Sequence, residues 1–309
     1  MPLELVVPTY NKPKIVQYII DEYNKQLEKV DFVLSVHDSS ETNVIFDIIS
    51  KSKFFKKKIF YYHYDSNIRL DEKVLIGLTK NNYAYKMLCG DGWVVDVSAI
   101  YSSNILKYDY NVICNYEKEV SLYHNYYKTK INVSRTDKQK FLYDNFWYLI
   151  MFGSSILSNE ITKKINVDAM IERFYVDGFA YPATLAMVCD DNNIVTNYHF
   201  ISYNPYKVVN TWLNKTILLW CYNITITFDQ IPDVILNQKY NILKKIGKYT
   251  KILTFRGFIH LKINNAFDFS IYKKYRKYIL QTKGCSILSL MLVLLIPNNI
   301  LKFIKKIKK

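Results

Sequence analysis

The sequence predicts an α/β protein built on a mainly parallel sheet with helices on both faces. Three observations predict it. Short apolar runs of strand length alternate with segments of helical period over roughly the first 115 residues. Most of these runs close at a proline, a glycine or an acidic residue. The chain has 309 residues and is 50% apolar, enough to bury a sizeable core. Alternation of this kind reads as successive βαβ steps, whose crossovers cover both faces of one sheet.

Leu3 to Val7 is the first strand, closed by Pro8. Pro13 opens a helix in which Ile15, Val16, Ile19, Ile20, Tyr23 and Leu27 share one face. Proline suits that first turn because its missing N–H would have no intrahelical partner. Phe32 to Val36 is the second strand, followed at once by Asp38, and Val44, Ile45, Ile48 and Ile49 mark the second helix. Ile59 to Tyr64 reads as a strand, Asp71 to Lys80 as a helix, and Tyr83 to Cys89 as a fourth strand running into Gly90-Asp91-Gly92. Tyr110 to Cys114 is a fifth. From Phe141 to Asp190 the pattern is helical, broken at Gly153-Ser154-Ser155. Thr216 to Phe228 and Leu253 to His260 fit either strands or buried helices. In open α/β sheets ligands bind beyond the carboxyl ends of the strands. Asn11, Asp38 and Asp91 all lie just past such ends.

The net charge of +15 points to an anionic partner: nucleic acid, an acidic membrane or a phosphorylated substrate. Its densest run is the end of the chain. The charge and the 16% aromatic content allow a basic nucleic-acid-binding protein as one alternative, although no recognised binding module is present. The five cysteines, Cys89, Cys114, Cys189, Cys221 and Cys285, are widely spaced and form no CxxC pair. They imply reduced thiols in a cytoplasmic protein and argue against a disulfide framework or a zinc site. Met1 to Pro8 lacks the pattern of a secretory signal. Ser286 to Ile296 is apolar but shorter than the ~20 residues of a spanning helix. After Pro297-Asn298-Asn299, the segment Ile300 to Lys309 sets Lys302, Lys305, Lys306, Lys308 and Lys309 among apolar residues. That pattern suits a helix lying on an anionic leaflet. The expected organisation is a main domain over 1–200, an extension over 201–283 completing the acceptor side, and a membrane-associating tail over 284–309.

Three ordered motifs carry a family resemblance. Val6-Val7-Pro8-Thr9-Tyr10-Asn11-Lys12-Pro13 resembles the opening motif of the family 2 nucleotide-sugar glycosyltransferases of GT-A fold. Val36-His37-Asp38-Ser39-Ser40 is similar to the acidic turn one βαβ step later, and Leu88-Cys89-Gly90-Asp91-Gly92-Trp93 to the place of the Asp-x-Asp motif. The resemblance implies a GT-A fold with a C-terminal helical extension. It implies that Pro8, Thr9, Tyr10 and Asn11 meet the donor, with Tyr10 flanking the nucleotide base. Asp38 would hydrogen-bond that base, and Gly90 and Asp91 would meet the diphosphate. Asp91 would also hold Mn²⁺ or Mg²⁺. Here the sequence departs from the family: Gly92 and Trp93 stand where further acids are expected, and Asp96 falls on the next predicted helix.

The resemblance further implies a carboxylate that deprotonates the acceptor hydroxyl. Asp177 is the candidate, ahead of Glu172 and of the Asp190-Asp191 pair. The implied activity is inverting transfer of a sugar from a UDP-sugar to a lipid-linked or saccharide acceptor. The implied setting is capsular or exopolysaccharide synthesis at the inner face of the cell membrane. The missing acids leave a second reading open, a catalytically inactive partner subunit of the same fold. No Walker loop, Rossmann glycine fingerprint or nucleophile elbow occurs.

Overall fold

The computed structural model describes residues 3–102, 104–113, 133–135, 137–189, 194–197, 202–203, 213–249 and 251–307. The chain divides into two compact units, one of Met1–Arg173 with Thr184–Val208, the other of Phe174–Ala183 with Val209–Lys309.

The first unit holds β1 (Leu3–Thr9), α1 (Pro13–Leu27), β2 (Phe32–Asp38), α2 (Val44–Ser50), β3 (Ile59–His63), α3 (Leu70–Lys80) and β4 (Tyr85–Leu88). These match the sequence reading element for element. β5 (Val94–Val95), α4 (Val97–Ser102), β6 (Tyr110–Ile113) and β7 (Val133–Arg135) follow. Then come α5 (Lys138–Ile150), β8 (Ser155–Ser158), α6 (Asn159–Thr162) and α7 (Val167–Arg173). β9 (Ile194–Asn197) and β10 (Ser202–Tyr203) complete the set, while α8 (Ala180–Val188) begins in the second unit and ends in the first. Eight strands form one sheet in the order β3-β2-β1-β4-β8-β6-β9-β7, and β5 pairs with β10 apart from it. β3, β2, β1 and β4 are parallel neighbours.

Every residue of β1 and β2 is buried, the near-continuous apolar run expected of strands covered on both faces. α1 covers one face with Val16, Ile19, Ile20, Tyr23 and Leu27, at helical spacing. α3 covers the other, and its Gly77 sets how close it comes. A Cβ there would lie 2.7 Å from Val6 Cγ1 and 3.3 Å from the His37 ring.

The helical pattern over 141–190 needs correction. β8 lies inside it and pairs antiparallel with both β4 and β6. The sheet is therefore mixed but mainly parallel: β3, β2, β1, β4, β6 and β9 run one way, β8 and β7 the other. Ser155-Ile156-Leu157-Ser158 is too short to show a period of its own, and all four residues are buried by partners far away in sequence. The glycine break just before it is real: Gly153 has φ of 89° and its N–H donates to the Leu88 carbonyl at 2.7 Å.

The second unit is helical over its described part. The segment left open at 216–228 is a helix, π-wound at Leu218–Asn223 and continuing as α9 (Ile224–Gln230). Ile217, Cys221, Ile224 and Phe228 are its buried stripe, at helical spacing. α10 (Lys239–Tyr249), α11 (Phe255–Ile263), α12 (Phe269–Thr282), α13 (Ile287–Leu295) and α14 (Asn298–Ile307) follow. The second open segment, 253–260, thus belongs to α11, with Thr254 accepting the Gly257 N–H at its N-cap. Phe258, Leu261, Phe267, Ile279, Leu290 and Val293 form a core of its own for this unit. Among the described residues no helix is long and apolar enough to cross a membrane. Cys89, Cys189 and Cys221 are buried free thiols and Cys285 is a half-buried one, while Cys114 lies outside the described residues.

Candidate functional site

The chain runs β1, β2, β3 outward to one side and then returns to the other side of β1 as β4. The strand order therefore reverses between β1 and β4, which is where an open α/β sheet leaves a crevice beyond its carboxyl ends. Register places Thr9 opposite Asp38 and Val6 opposite Leu88, so the loops after β1, β2 and β4 emerge side by side.

These loops are tied into one cluster. Asn11 adopts a left-handed φ of 51° and donates its N–H to Ser40 Oγ at 2.8 Å. Asparagine tolerates that conformation better than most residues. Ser40 in turn donates its N–H and its hydroxyl to Asp38 Oδ1, at 2.9 and 2.6 Å. Tyr61 donates its hydroxyl to Asp38 Oδ2 at 2.9 Å. Asp38 is thus fully buried with both oxygens occupied from within the protein. Asp91 comes in from the β4 side. Lys12 Nζ lies 2.9 Å from its Oδ1, and Thr9 donates its hydroxyl to Oδ2 at 3.4 Å. Gly90 and Trp93 close the turn that carries Asp91, with Trp93 N–H donating to the Gly90 carbonyl at 2.9 Å. A Cβ at Gly90 would press on Trp93 Cδ1 at 2.8 Å.

Lys73, from the first turn of α3, sits beneath the cluster. Its ammonium donates to the Thr9 carbonyl at 2.7 Å and to Ser39 Oγ at 2.6 Å, joining the β1 and β2 loops from inside. Burial pushes its pKa down to about 8, with the Asp38 and Asp91 carboxylates pulling the other way. Beside it the buried His37 contacts the Tyr64 hydroxyl through Nδ1 at 2.8 Å. Burial, then the positive charges of Lys80 and Lys73, push His37 down to about 3, so it is neutral and structural. Tyr10 is 44% exposed at the rim, its hydroxyl 3.4 Å from Glu41.

Thr9, Asn11, Asp38 and Asp91 are therefore brought together, with the Pro8 backbone in β1, Tyr10 at the rim and Gly90 in the turn. The arrangement suits an anion. Two lysines, one of them buried, stand at the crevice beside the start of α1, the positive end of that helix's dipole. Asp91 is the one carboxylate of the set paired with a half-exposed lysine, Lys12. Among the described residues no group of three or more His, Cys, Asp or Glu side chains could hold a metal ion by itself. The residues present fit a divalent cation only as a shared ligand set, Asp91 on one side and an anionic ligand's own oxygens on the other.

Each remaining candidate has its own surroundings. Asp96 precedes its helix rather than lying on it, and its Oδ1 accepts the Ala99 N–H at 2.9 Å as the cap of α4. Glu172 is exposed on α7. Asp177 is exposed in the second unit, where its carbonyl accepts Asn223 Nδ2 at 2.9 Å. Asp190-Asp191 lies outside the described residues. Sequence reasoning missed Lys73 and the ion pair of Lys12 with Asp91. Lys73 had one signal, a lysine four residues before Gly77 on the sheet-facing side of a helix.

No family model matches the chain, and no curated protein matches it in sequence. Solved structures do. TarS of S. aureus superposes with a TM-score of 0.51 at 12% identity, over 80% of this chain and 43% of that one. The chain thus spans less than half the length of that TarS chain. Against TarS residues 1–349 the TM-score is again 0.51 at 12% identity, over 90% of this chain and 92% of that one. A mannosyltransferase of Pyrobaculum calidifontis, PcManGT, solved with GDP-Man and Mn²⁺, gives 0.50 at 11% identity, over 94% of this chain and 85% of that one. The chain has the α/β fold of these GT-A-type glycosyltransferases, with C-terminal helices added.

Proposed function

We propose that the protein is a glycosyltransferase that moves a sugar from a nucleotide-diphosphate sugar to a hydroxyl acceptor. One observation carries the reading. Thr9, Lys12, Asp38, Ser40, Lys73 and Asp91, from the ends of β1, β2 and β4 and the start of α3, form one cluster at the reversal of strand order. A GT-A neighbour that binds GDP-Man and Mn²⁺ supports the nucleotide-sugar ligand class. Within that reading the family 2 motifs favour a UDP-sugar, inversion at the anomeric carbon, and a lipid-linked or saccharide acceptor. Surface polysaccharide synthesis at an anionic membrane, on the cytoplasmic side, is the setting.

The chain's own residues divide the work. Tyr10 offers an aromatic face to the base at the rim. Asp38 and Ser40, locked to each other, hold the β2 loop in the shape that receives it. Lys12 and Lys73 offset the charge of the diphosphate, and Lys73 also fixes the Thr9 carbonyl. Asp91 would hold a divalent cation together with donor phosphate oxygens, and that ion would stabilise the departing nucleoside diphosphate. Asp177 is assigned as the base that takes the acceptor proton, leaving the acceptor oxygen free to attack the anomeric carbon.

The test is a panel of UDP-, GDP- and dTDP-sugars with Mn²⁺ or Mg²⁺ and a membrane extract as acceptor. Wild type should release nucleotide, and Asp91→Ala should lower the rate by roughly a hundredfold or more. Donor binding without turnover by wild type would favour the second reading, an inactive subunit, which the single carboxylate paired to Lys12 motivates. No donor binding at all would reject the site.

A further inference from the structure

The charge of the protein is segregated. Residues 1–208 carry 24 Lys and Arg against 24 Asp and Glu, while residues 209–309 carry 18 against 3. The whole excess of +15 therefore resides in the last third of the chain. That same stretch presents an uncharged apolar helix face. In α13, Ile287, Leu288, Leu292 and Leu295 are 54%, 72%, 46% and 68% exposed, and Met291 is half-buried between them. Their spacing puts all five on one side of the helix. Leu290, Val293 and Leu294 occupy the other side and join the core with Phe258 and Leu261. The exposed stripe is thus not a misplaced core: α13 is apolar on both sides, and one side is already satisfied.

Local structure fixes this helix in place. Ser286 caps it by accepting the Ser289 N–H at 3.0 Å. Lys262 Nζ donates to the Val293 and Leu294 carbonyls at 2.7 and 2.6 Å, closing its far end. At the next helix start, Asn298 Nδ2 donates to Asn265 Oδ1 at 3.2 Å, Leu301 is buried, and Ile300 is half-exposed. The stripe is therefore presented on a held element rather than on a frayed end.

We infer that the face of α13 made by Ile287, Leu288, Met291, Leu292 and Leu295 is a docking surface for an anionic lipid bilayer. It inserts in the plane of the headgroup region while the cationic excess of residues 209–309 attracts the lipid charge. Four physical points favour this occupant. Nine residues of helix are about 13 Å long, too short to span a bilayer but long enough to lie in its interface. No residue from Ser286 to Ile296 is charged, so the stripe inserts without desolvating an ion. The excess of +15 is complementary to an anionic leaflet and would repel a second copy of the same unit. A nucleic acid would use the cations but gain nothing from an aliphatic stripe. The inference deepens the membrane partner of the proposed function by naming the surface, and it rests on that reading for the choice of a cell membrane.

The experiment uses the full chain and sedimentation with vesicles, with no nucleotide sugar present. One set of vesicles is phosphatidylcholine alone, the other a three-to-one mixture of phosphatidylcholine and phosphatidylglycerol. Wild type should bind the mixed vesicles, bind phosphatidylcholine weakly, and lose binding as salt is raised. Leu288→Ser with Leu292→Ser and Leu295→Ser should reduce binding about tenfold or more, with an unchanged circular-dichroism melt. Because the three side chains are exposed, this variant keeps the core intact. A second variant, Lys273→Gln with Lys274→Gln, leaves the stripe untouched and should reduce binding to the mixed vesicles only. Equal binding to both vesicle types, or a triple variant that binds like wild type, would overturn the inference. So would a wild type that ignores vesicles, or a dimer in light scattering that the triple variant dissolves. Donor binding plays no part in this assay, so failure of the transferase reading and failure of the docking surface are seen separately.

Discussion

At the scale of single residues, the cluster depends on how charge is held at the ends of β1, β2 and β4. Asn11, Asp38 and Asp91 were legible in the sequence because strand ends in an α/β pattern are places, not merely residue types, and Thr9 through the resemblance of its motif. Lys73 was not, because a lysine in the first turn of a helix ordinarily faces water. Here it turns inward to the Thr9 carbonyl and Ser39 hydroxyl. Its depressed pKa, about 8 against an ordinary 10.5, makes a two-sided prediction. Between those values the unfolded chain holds a proton that the folded chain has lost, so this group's contribution to stability rises with pH across that window. Anion affinity moves the other way and falls as pH rises through about 8, because the crevice loses a positive charge. Titration calorimetry with UDP should show a several-fold weaker affinity at about pH 9 than at about pH 7, without alkaline unfolding in a parallel urea titration. Lys73→Met should bind more weakly at neutral pH and show little dependence over the same range. An unchanged slope in that variant would assign the pH effect to another group.

At the scale of elements, the alternation of β1 to β4 with α1 to α3 was readable because each piece buries its own periodic face against its sequence neighbours. β8 was unreadable for the opposite reason: four residues, Ser155 to Ser158, are made a strand only by β4 and β6. The segments 216–228 and 253–260 were ambiguous because both are dense in β-branched and aromatic residues, which suit a buried strand as well as a buried helix. Tertiary packing in the second unit decides for helix. The distance between α3 and the sheet is set by Gly77. Gly77→Ala places a methyl 2.7 Å from Val6 Cγ1, so Val6 or the helix must shift. Helix propensity alone would favour alanine by up to about 1 kcal/mol, whereas overpacking costs about 1–3 kcal/mol. Net destabilisation of about 1–2 kcal/mol is expected in urea denaturation. Because α3 also carries Lys73, a weaker UDP affinity should accompany it. A stabilised Gly77→Ala would mean that α3 is free to move outward, and that Lys73 is not held by this contact.

At the scale of the molecule, two cores and two charge regimes coincide. The sheet core of Leu5, Val7, Phe32, Leu34 and Met87 lies in a stretch whose charges balance, and the helical core of Phe258, Leu261, Ile279 and Leu290 in a stretch with 18 cations and 3 anions. Composition shows the total of +15 and the basic tail, but its full segregation follows only when the count is divided after Val208. Self-repulsion among like charges opposes compaction, and salt relieves it. The Debye length falls from about 30 Å at 0.01 M to about 8 Å at 0.15 M, which screens charges on neighbouring helices from one another. Hydrogen exchange read by mass spectrometry should therefore separate the units. Raising salt over that range should slow exchange in α10 and α12, which carry Lys244, Lys245, Lys248, Lys273, Lys274, Arg276 and Lys277. Amides of β1, β2 and β4 should change little, since their surroundings are near neutral and their hydrogen bonds are buried. If all segments slowed alike, salt would be acting on the chain as a whole, and the charge surplus would not be what limits the helical unit.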